Sequence, residues 1–186
     1  FDSPSVFGSI FVNEKGGCLG FVVSPQYETS QKYIPHTNVL VTSFVSEEAC
    51  FDVIDFMPRY RTGERGEYYI PAELYRLIRV RRGTPKVRIK YDPRMNYAAD
   101  EVRHKGGPEY VKSLSVQNPQ DTIYMYSSMS QTDILEQNEI TLEGNQFILI
   151  SYNQKVVPVD LERVFLEYER TKLYWLDWSN RSKKYK

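Results

Sequence analysis

Only two histidines, His36 and His104, occur among the 186 residues. Neither belongs to an HxxxH or HExxH spacing, so nothing supports a zinc hydrolase built on paired imidazoles. No GxSxG segment is present, and Gly8-Ser9 lacks the sharp strand-to-helix elbow that exposes a serine nucleophile. A phosphate cradle is missing as well: Gly16-Gly17 runs into a strand-like stretch instead of Lys-Ser/Thr and a helix. Together these absences argue against an independent enzyme.

Cysteine is as scarce. Cys18 and Cys50 stand far apart and match no metal spacing, and two thiols make no disulfide framework. Free thiols packed as small hydrophobes are the expectation, which favours a cytoplasmic setting. No metal or other cofactor is expected. Net charge is missing too: 24 Lys and Arg balance 24 Asp and Glu, leaving no overall field to hold a polyanion, so no nucleic-acid partner is expected. No apolar run approaches the ~20 residues that span a bilayer, and no membrane partner is expected either. Phe1 rather than Met stands first, which leaves an upstream targeting segment open.

What remains is an ordinary globular balance, 41% hydrophobic and 26% charged, with 15 tyrosines. Tyrosine joins a flat apolar body to a polar tip, which suits packed β-faces, domain interfaces and sugar contacts equally. The periodicity is more decisive. Val6 to Val12, Leu19 to Val23, Asn38 to Val45, Phe51 to Phe56, Leu74 to Arg81, Val87 to Tyr91, Thr122 to Tyr126, Ile140 to Leu142 and Phe147 to Tyr152 read as strands. Turn chemistry separates them, as at Asn13-Glu14-Lys15-Gly16-Gly17 and Glu143-Gly144-Asn145. Ser46-Glu47-Glu48 predicts a hairpin between the third and fourth segments, and Gly83-Thr84-Pro85 another between the fifth and sixth. Val87, Ile89 and Tyr91 alternate with Arg88 and Lys90, so that strand has one wet face. Arg59 to Gly66 and Arg94 to Pro108 read as loops.

With no helix expected between the strands, the pattern specifies an all-β protein, an antiparallel two-sheet sandwich over 1–158. The period changes afterwards. Asp160 is a plausible N-cap, and Leu161, Val164, Phe165, Tyr168 and Trp175 recur at helical spacing, opposite Glu162, Arg163, Glu167, Glu169 and Arg170. Residues 159–186 therefore form a C-terminal linker helix with a polar, frayed tail.

Paired carboxylates are the last route to catalysis. Asp52 and Asp55 are the tempting pair, but a three-residue offset along one strand sends them to opposite faces. They cannot flank one bond. Asp55 reads as a strand-end carboxylate accepting turn hydrogen bonds or pairing with an arginine.

Five stretches taken in order carry a resemblance: Phe1-Asp2-Ser3-Pro4-Ser5-Val6-Phe7, Gly16-Gly17, Tyr33-Ile34-Pro35-His36-Thr37-Asn38-Val39-Leu40, Val53-Ile54-Asp55-Phe56-Met57-Pro58-Arg59 and Tyr91-Asp92-Pro93-Arg94-Met95-Asn96-Tyr97. The set resembles the N-terminal domain of glycoside hydrolase family 15, the glucoamylases, glucodextranases and trehalases. Tyr174-Trp175-Leu176-Asp177-Trp178-Ser179 is similar to that family's helical exit toward its catalytic domain. The resemblance implies a large β-sandwich followed by an (α/α)6 barrel. In the barrel one glutamate acts as acid and another as base, with inversion at the anomeric carbon. None of this chain's residues matches either glutamate, so the chain itself is expected to be non-catalytic.

The partner so implied is the chain's own C-terminal catalytic domain, with an α-glucoside such as trehalose at the domain interface. The resemblance makes Asp55, Arg59, Arg94, Tyr97, Trp175 and Trp178 the candidate interdomain or substrate-edge contacts. A carbohydrate-binding module is the alternative: exposed coplanar aromatics would favour it, buried ones would favour docking.

Overall fold

The computed structural model describes residues 5–9, 15–63, 66–157 and 159–182. Among these the chain is built from antiparallel strands in an eight-stranded and a three-stranded sheet, with a separate two-stranded hairpin and one long helix. The eight-stranded sheet has the order β2 (Glu28–Tyr33), β3 (Leu40–Val45), β4 (Cys50–Phe56), β7 (Glu73–Arg82), β13 (Gln146–Tyr152), β11 (Thr122–Ser127), β10 (Val111–Ser115) and β9 (Val102–Gly106). The smaller sheet sets β8 (Lys86–Asp92) between β1 (Cys18–Val22) and β12 (Ile140–Thr141). The hairpin is β5 (Tyr60–Thr62) with β6 (Glu67–Tyr69). This is the all-β sandwich that the period-two segments predict.

The central strands of the large sheet are buried on both faces, which explains their near-continuous apolar runs. Phe51, Val53, Ile78, Ile123, Met125, Ile148 and Ile150 face the small sheet and pack with Val87, Ile89 and Tyr91 of β8. Their strand neighbours Ile54, Phe56, Tyr75, Leu77, Tyr124, Tyr126, Phe147 and Leu149 form a second core on the opposite face. That second core is closed by helix α2 (Leu161–Ser182) through Val164 and Tyr168. Asp160 caps α2 as its sequence position suggests: its Oδ1 accepts the Arg163 N–H at 2.8 Å. At about 1.5 Å per residue the helix is roughly 33 Å long, and its final turns carry Trp178, which is 55% exposed.

Several expectations need correction. β3 and β4 pair as the hairpin foreseen at Ser46-Glu47-Glu48, but β7 and β8 do not pair with each other. β7 lies between β4 and β13, whereas β8 lies between β1 and β12, so Gly83-Thr84-Pro85 carries the chain from one sheet to the other. The burial patterns give the reason: β7 is covered on both faces and β8 on one. Gly83 takes a positive φ of 67° with the Glu48 carbonyl against its α-carbon, a place no side chain fits.

The stretch 94–108 is not one loop, since it contains β9 and a left-handed turn at Asn96–Ala98. Likewise, residues 59–66 begin the β5–β6 hairpin, and a short helix α1 (Gln131–Glu136) intervenes where none was expected. β2 and β10 also went unread. β2 is polar and wholly exposed at the sheet edge, so it has no apolar alternation to reveal it. The strand expected over Val6 to Val12 is not seen at Val6 to Ser9, which are bend and turn, and its remainder lies outside the described residues, as do Phe1 to Pro4, Pro158 and the tail after Ser182. Cys18 and Cys50 are free and half-buried rather than buried.

Candidate interdomain interface

One end of the sandwich gathers the candidate residues. Asp55 pairs across β4–β7 with Arg76, and the Arg76 Nη1 reaches the Leu19 carbonyl at 2.8 Å, while Leu19 stands opposite Tyr91. The end of β4, the start of β7, the start of β1 and the end of β8 therefore lie at the same pole. From that pole emerge Met57-Pro58-Arg59 with the β5–β6 hairpin, and Pro93 to Asp100. The middle of α2 reaches it too, since the Arg59 N–H donates to the Thr171 hydroxyl at 3.4 Å and the Arg59 side chain reaches Tyr174.

Asp55 is committed internally. Its two oxygens accept the Arg76 Nε at 2.6 Å and Nη2 at 3.0 Å, with both side chains largely buried and the guanidinium over the Phe21 ring. Asp52 faces the other way, as the strand period requires, accepting from Ser43 Oγ at 2.6 Å and pairing with Arg81 at 3.1 Å.

Arg59 sits among aromatic rings. Its Nε donates to the Tyr174 hydroxyl at 3.1 Å, and its guanidinium carbon lies 5.8 Å from the Tyr68 ring, 5.6 Å from Tyr174 and 5.8 Å from Trp175. A delocalised, weakly hydrated cation suits such a site. Arg61 covers Tyr68 as well, at 5.5 Å, and Arg170 covers Tyr60 at 5.2 Å. Trp175 is half-buried and meets Trp178 edge-on at 5.9 Å. Between the hairpin and α2 lies an open cleft of about 580 Å³ whose walls include Tyr60, Arg61, Arg170, Leu173, Tyr174 and Asp177.

Arg94 and Tyr97 sit on the small-sheet side of the pole. Arg94 is exposed and pairs with Asp92 at 2.8 Å, while its N–H donates to the Val6 carbonyl. Tyr97 lies in a run of three left-handed residues, Asn96, Tyr97 and Ala98, with φ of 50°, 54° and 66°. Such conformations cost non-glycine residues roughly 1–2 kcal/mol each. The turn is held by the buried Met95 on one side and Asp100 on the other, whose oxygens accept from Asn96 and Ser115. It presents Tyr97 74% exposed. Gly17 belongs to the same junction: a Cβ there would collide with the Val6 carbonyl, the Arg94 N–H and the Asp92 carbonyl.

Histidine chemistry is absorbed by packing. His104 Nδ1 lies 2.8 Å from Ser113 Oγ, which lies 2.8 Å from the Tyr91 hydroxyl. Ser113 is fully buried and shares its hydroxyl between Tyr91 and His104, whose residue as a whole is exposed on β9. Burial holds the His104 pKa below its usual value; Arg94 pushes the same way and Asp92 opposes it.

One polar cluster escaped the sequence reading. Glu167, assigned there to the polar face of the helix, is buried in the seam between α2 and the sheet, as is Glu73 of β7. The Tyr60 hydroxyl donates to Glu167 Oε1 at 3.1 Å, and burial together with that carboxylate pushes the Tyr60 pKa up to about 12. A glutamate three residues after a buried valine and one before a buried tyrosine was the available signal. No group of three or more metal-ligating side chains occurs among the described residues.

The family model described as trehalase-like, N-terminal, matches residues 1–157, most of the chain. The chain belongs to the trehalase-like N-terminal family. It is also similar to a trehalase of Thermoplasma acidophilum, at 23% identity over 192 residues, covering 98% of this chain and 32% of that protein. The chain thus spans about a third of the length of this curated relative. A β-sandwich that matches about a third of that trehalase fits a non-catalytic N-terminal domain. No helix among the described residues is long and apolar enough to cross a membrane.

Proposed function

We infer that this trehalase-like N-terminal domain supports and docks to a catalytic domain that follows it, an (α/α)6 barrel of family 15 type acting on trehalose or another α-glucoside. The supporting observation is the exposed apolar surface at the C-terminal half of α2. Leu173 is 60% and Trp178 55% exposed, at the pole where Tyr97 also projects. Trp178 lies on the side of α2 that Val164 and Tyr168 turn to the sheet, and Leu173 on the far side, so exposed apolar groups on both sides of this half of the helix mark an interaction surface. Tyr97, Leu173 and Trp178 are the most exposed large apolar side chains of this pole and carry the contact role there. Cleavage of the glycosidic bond then belongs to carboxylates of the barrel, and the free thiols favour a cytoplasmic enzyme.

The test is made in the complete protein. Leu173→Ser combined with Trp178→Ser should shorten the half-life of trehalose hydrolysis at elevated temperature several-fold while leaving the melting of the 186-residue chain within a few degrees of wild type. Unchanged half-life in the complete protein would remove docking at this surface.

A second reading, sugar binding by the sandwich itself, draws on the cleft between the hairpin and α2, where aromatic rings meet Arg61 and Asp177. The rings of Tyr60 and Tyr174 that line this cleft each already carry an arginine at 5–6 Å, which competes with a sugar for stacking. Docking is favoured. Calorimetric titration of the chain with trehalose and maltose separates the two readings, because only a binding module gives saturable heat that Tyr174→Ala abolishes.

A further inference from the structure

Glu73 and Glu167 are the two carboxylates most deeply buried among the described residues, each 4% exposed. They approach the seam between the large sheet and α2 from opposite sides. The two differ in what serves them. Glu167 accepts from Tyr60 and lies 3.7 Å from the Arg170 guanidinium. Among the described residues, no ion pair reaches Glu73. By geometry Glu73 Oε2, Glu167 Oε2 and the Tyr75 hydroxyl all lack a hydrogen-bond partner there, while Tyr75 stands near enough to Glu73 to pull its pKa down.

The charge balance of the seam sharpens the contrast. From β7 it is faced by Glu73, Tyr75 and Arg79, from β5 by Tyr60, from β6 by Tyr69, and from α2 by Arg163, Glu167 and Arg170. Arg79 is taken up by the Phe165 and Tyr168 rings, and Arg170 by Glu167 and the Tyr60 ring. Arg163 is the cation left to oppose Glu73. A second buried negative charge here is poorly compensated, and a buried carboxylate without a partner takes up a proton instead.

We propose that the seam is a proton-operated latch, in which Glu73 is held as the neutral acid while α2 is seated and its deprotonation loosens α2 from the sheet. The step is one proton lost from the Glu73 carboxyl to solvent, leaving two carboxylates facing each other across the seam. Burial, with the Glu167 charge adding to it, raises the Glu73 pKa above its usual value, against the pull of Tyr75 and Arg163. The sign follows. A carboxyl whose folded pKa is raised adds full stability below its unfolded value and loses it as pH climbs toward the folded one. The latch is internal to the chain and operates whether or not another domain docks on α2.

Thermal unfolding of wild type and Glu73→Gln across pH tests this. At about pH 4, below the ordinary glutamate range, the two should melt together. At about pH 8 the variant should melt higher by about 2–4 °C or more. An offset that stays constant with pH, or a variant that melts lower at the alkaline end, overturns the latch. Amide exchange of Val164 to Tyr174, corrected for its intrinsic pH dependence, should quicken with pH in wild type and not in Glu73→Gln; equal profiles overturn it. Should the variant fail to fold, infrared spectroscopy of wild type decides. A protonated-carboxyl band that persists above the ordinary glutamate range in wild type supports the latch, and titration of every carboxyl within that range ends it.

Discussion

Arg76 grips Asp55 through both carboxylate oxygens, at 2.6 and 3.0 Å, and holds the Leu19 carbonyl with its remaining nitrogen. One guanidinium thus ties together β4, β7 and β1, joining the large sheet to the small one. Asp55→Ala leaves that cation largely buried and unpaired, a change that costs about 3–5 kcal/mol in other proteins. We expect a loss of about 3 kcal/mol in urea denaturation, with much of it recovered when Arg76→Met is added. Additive losses from the two changes would show that the pair is not the unit.

Arg59 and Arg94 leave the same pole yet should respond differently to truncation. Arg59→Ala removes three aromatic contacts and a hydrogen bond that hold the hairpin and α2 together, so a loss of about 1–2 kcal/mol is expected. Arg94→Ala removes one exposed pair with Asp92 and should cost under about 0.5 kcal/mol. Arg59→Lys should fall near the alanine variant, because a point charge cannot reproduce the planar contacts. Denaturation of the three variants side by side gives the ranking.

Gly17→Ala places a methyl group against backbone atoms of Val6, Asp92 and Arg94, none of which can swing aside as a side chain could. Overpacking of this kind costs about 1–3 kcal/mol. The melting temperature should fall accordingly, whereas Gly20→Ala, which meets open space, should leave it within about 1–2 °C.

His104, exposed on β9 but with its Nδ1 at the buried Ser113, is expected to give the fold a small sensitivity to acid. Its folded pKa is depressed, so the unfolded chain takes up the proton first, and stability falls as pH drops through about 6.5 until the folded group titrates as well. His104→Gln should abolish this part of the acid slope. Melting curves of the two proteins between about pH 8 and pH 5 check it, and parallel slopes would assign the acid sensitivity elsewhere.

The sequence revealed the sandwich because its strands obey a strict alternation or an apolar run with clear turn residues at the ends. β8, with Val87, Ile89 and Tyr91 inside and lysine or arginine outside, could be read residue by residue. The partner of each strand could not. Gly83-Thr84-Pro85 has hairpin chemistry but serves a crossover, and nothing local distinguishes the two uses; burial on one or both faces does, and that is a property of the assembled sheets. Asp160 and the helical repeat marked α2 in advance, yet Glu167 looked like a surface residue because its burial depends on Tyr60, more than a hundred positions away. The candidate contacts at the pole were named through motifs. The rings around Arg59 were missed because Tyr68, Tyr174 and Trp175 come together only in three dimensions.

The two cores share one wall, and this bears on how β13 finds its place. A one-residue slip would send Phe147 and Leu149 toward the small sheet and Ile148 and Ile150 toward α2, exchanging one greasy set for another. Oil-and-water sorting therefore cannot police the alignment of this strand. Polar pins at either end can: Asn145 Oδ1 takes the Val80 N–H at 3.1 Å, and Asn153 Oδ1 takes the Thr122 N–H at 2.7 Å. Two amides fasten the strand where its own side chains would accept either setting.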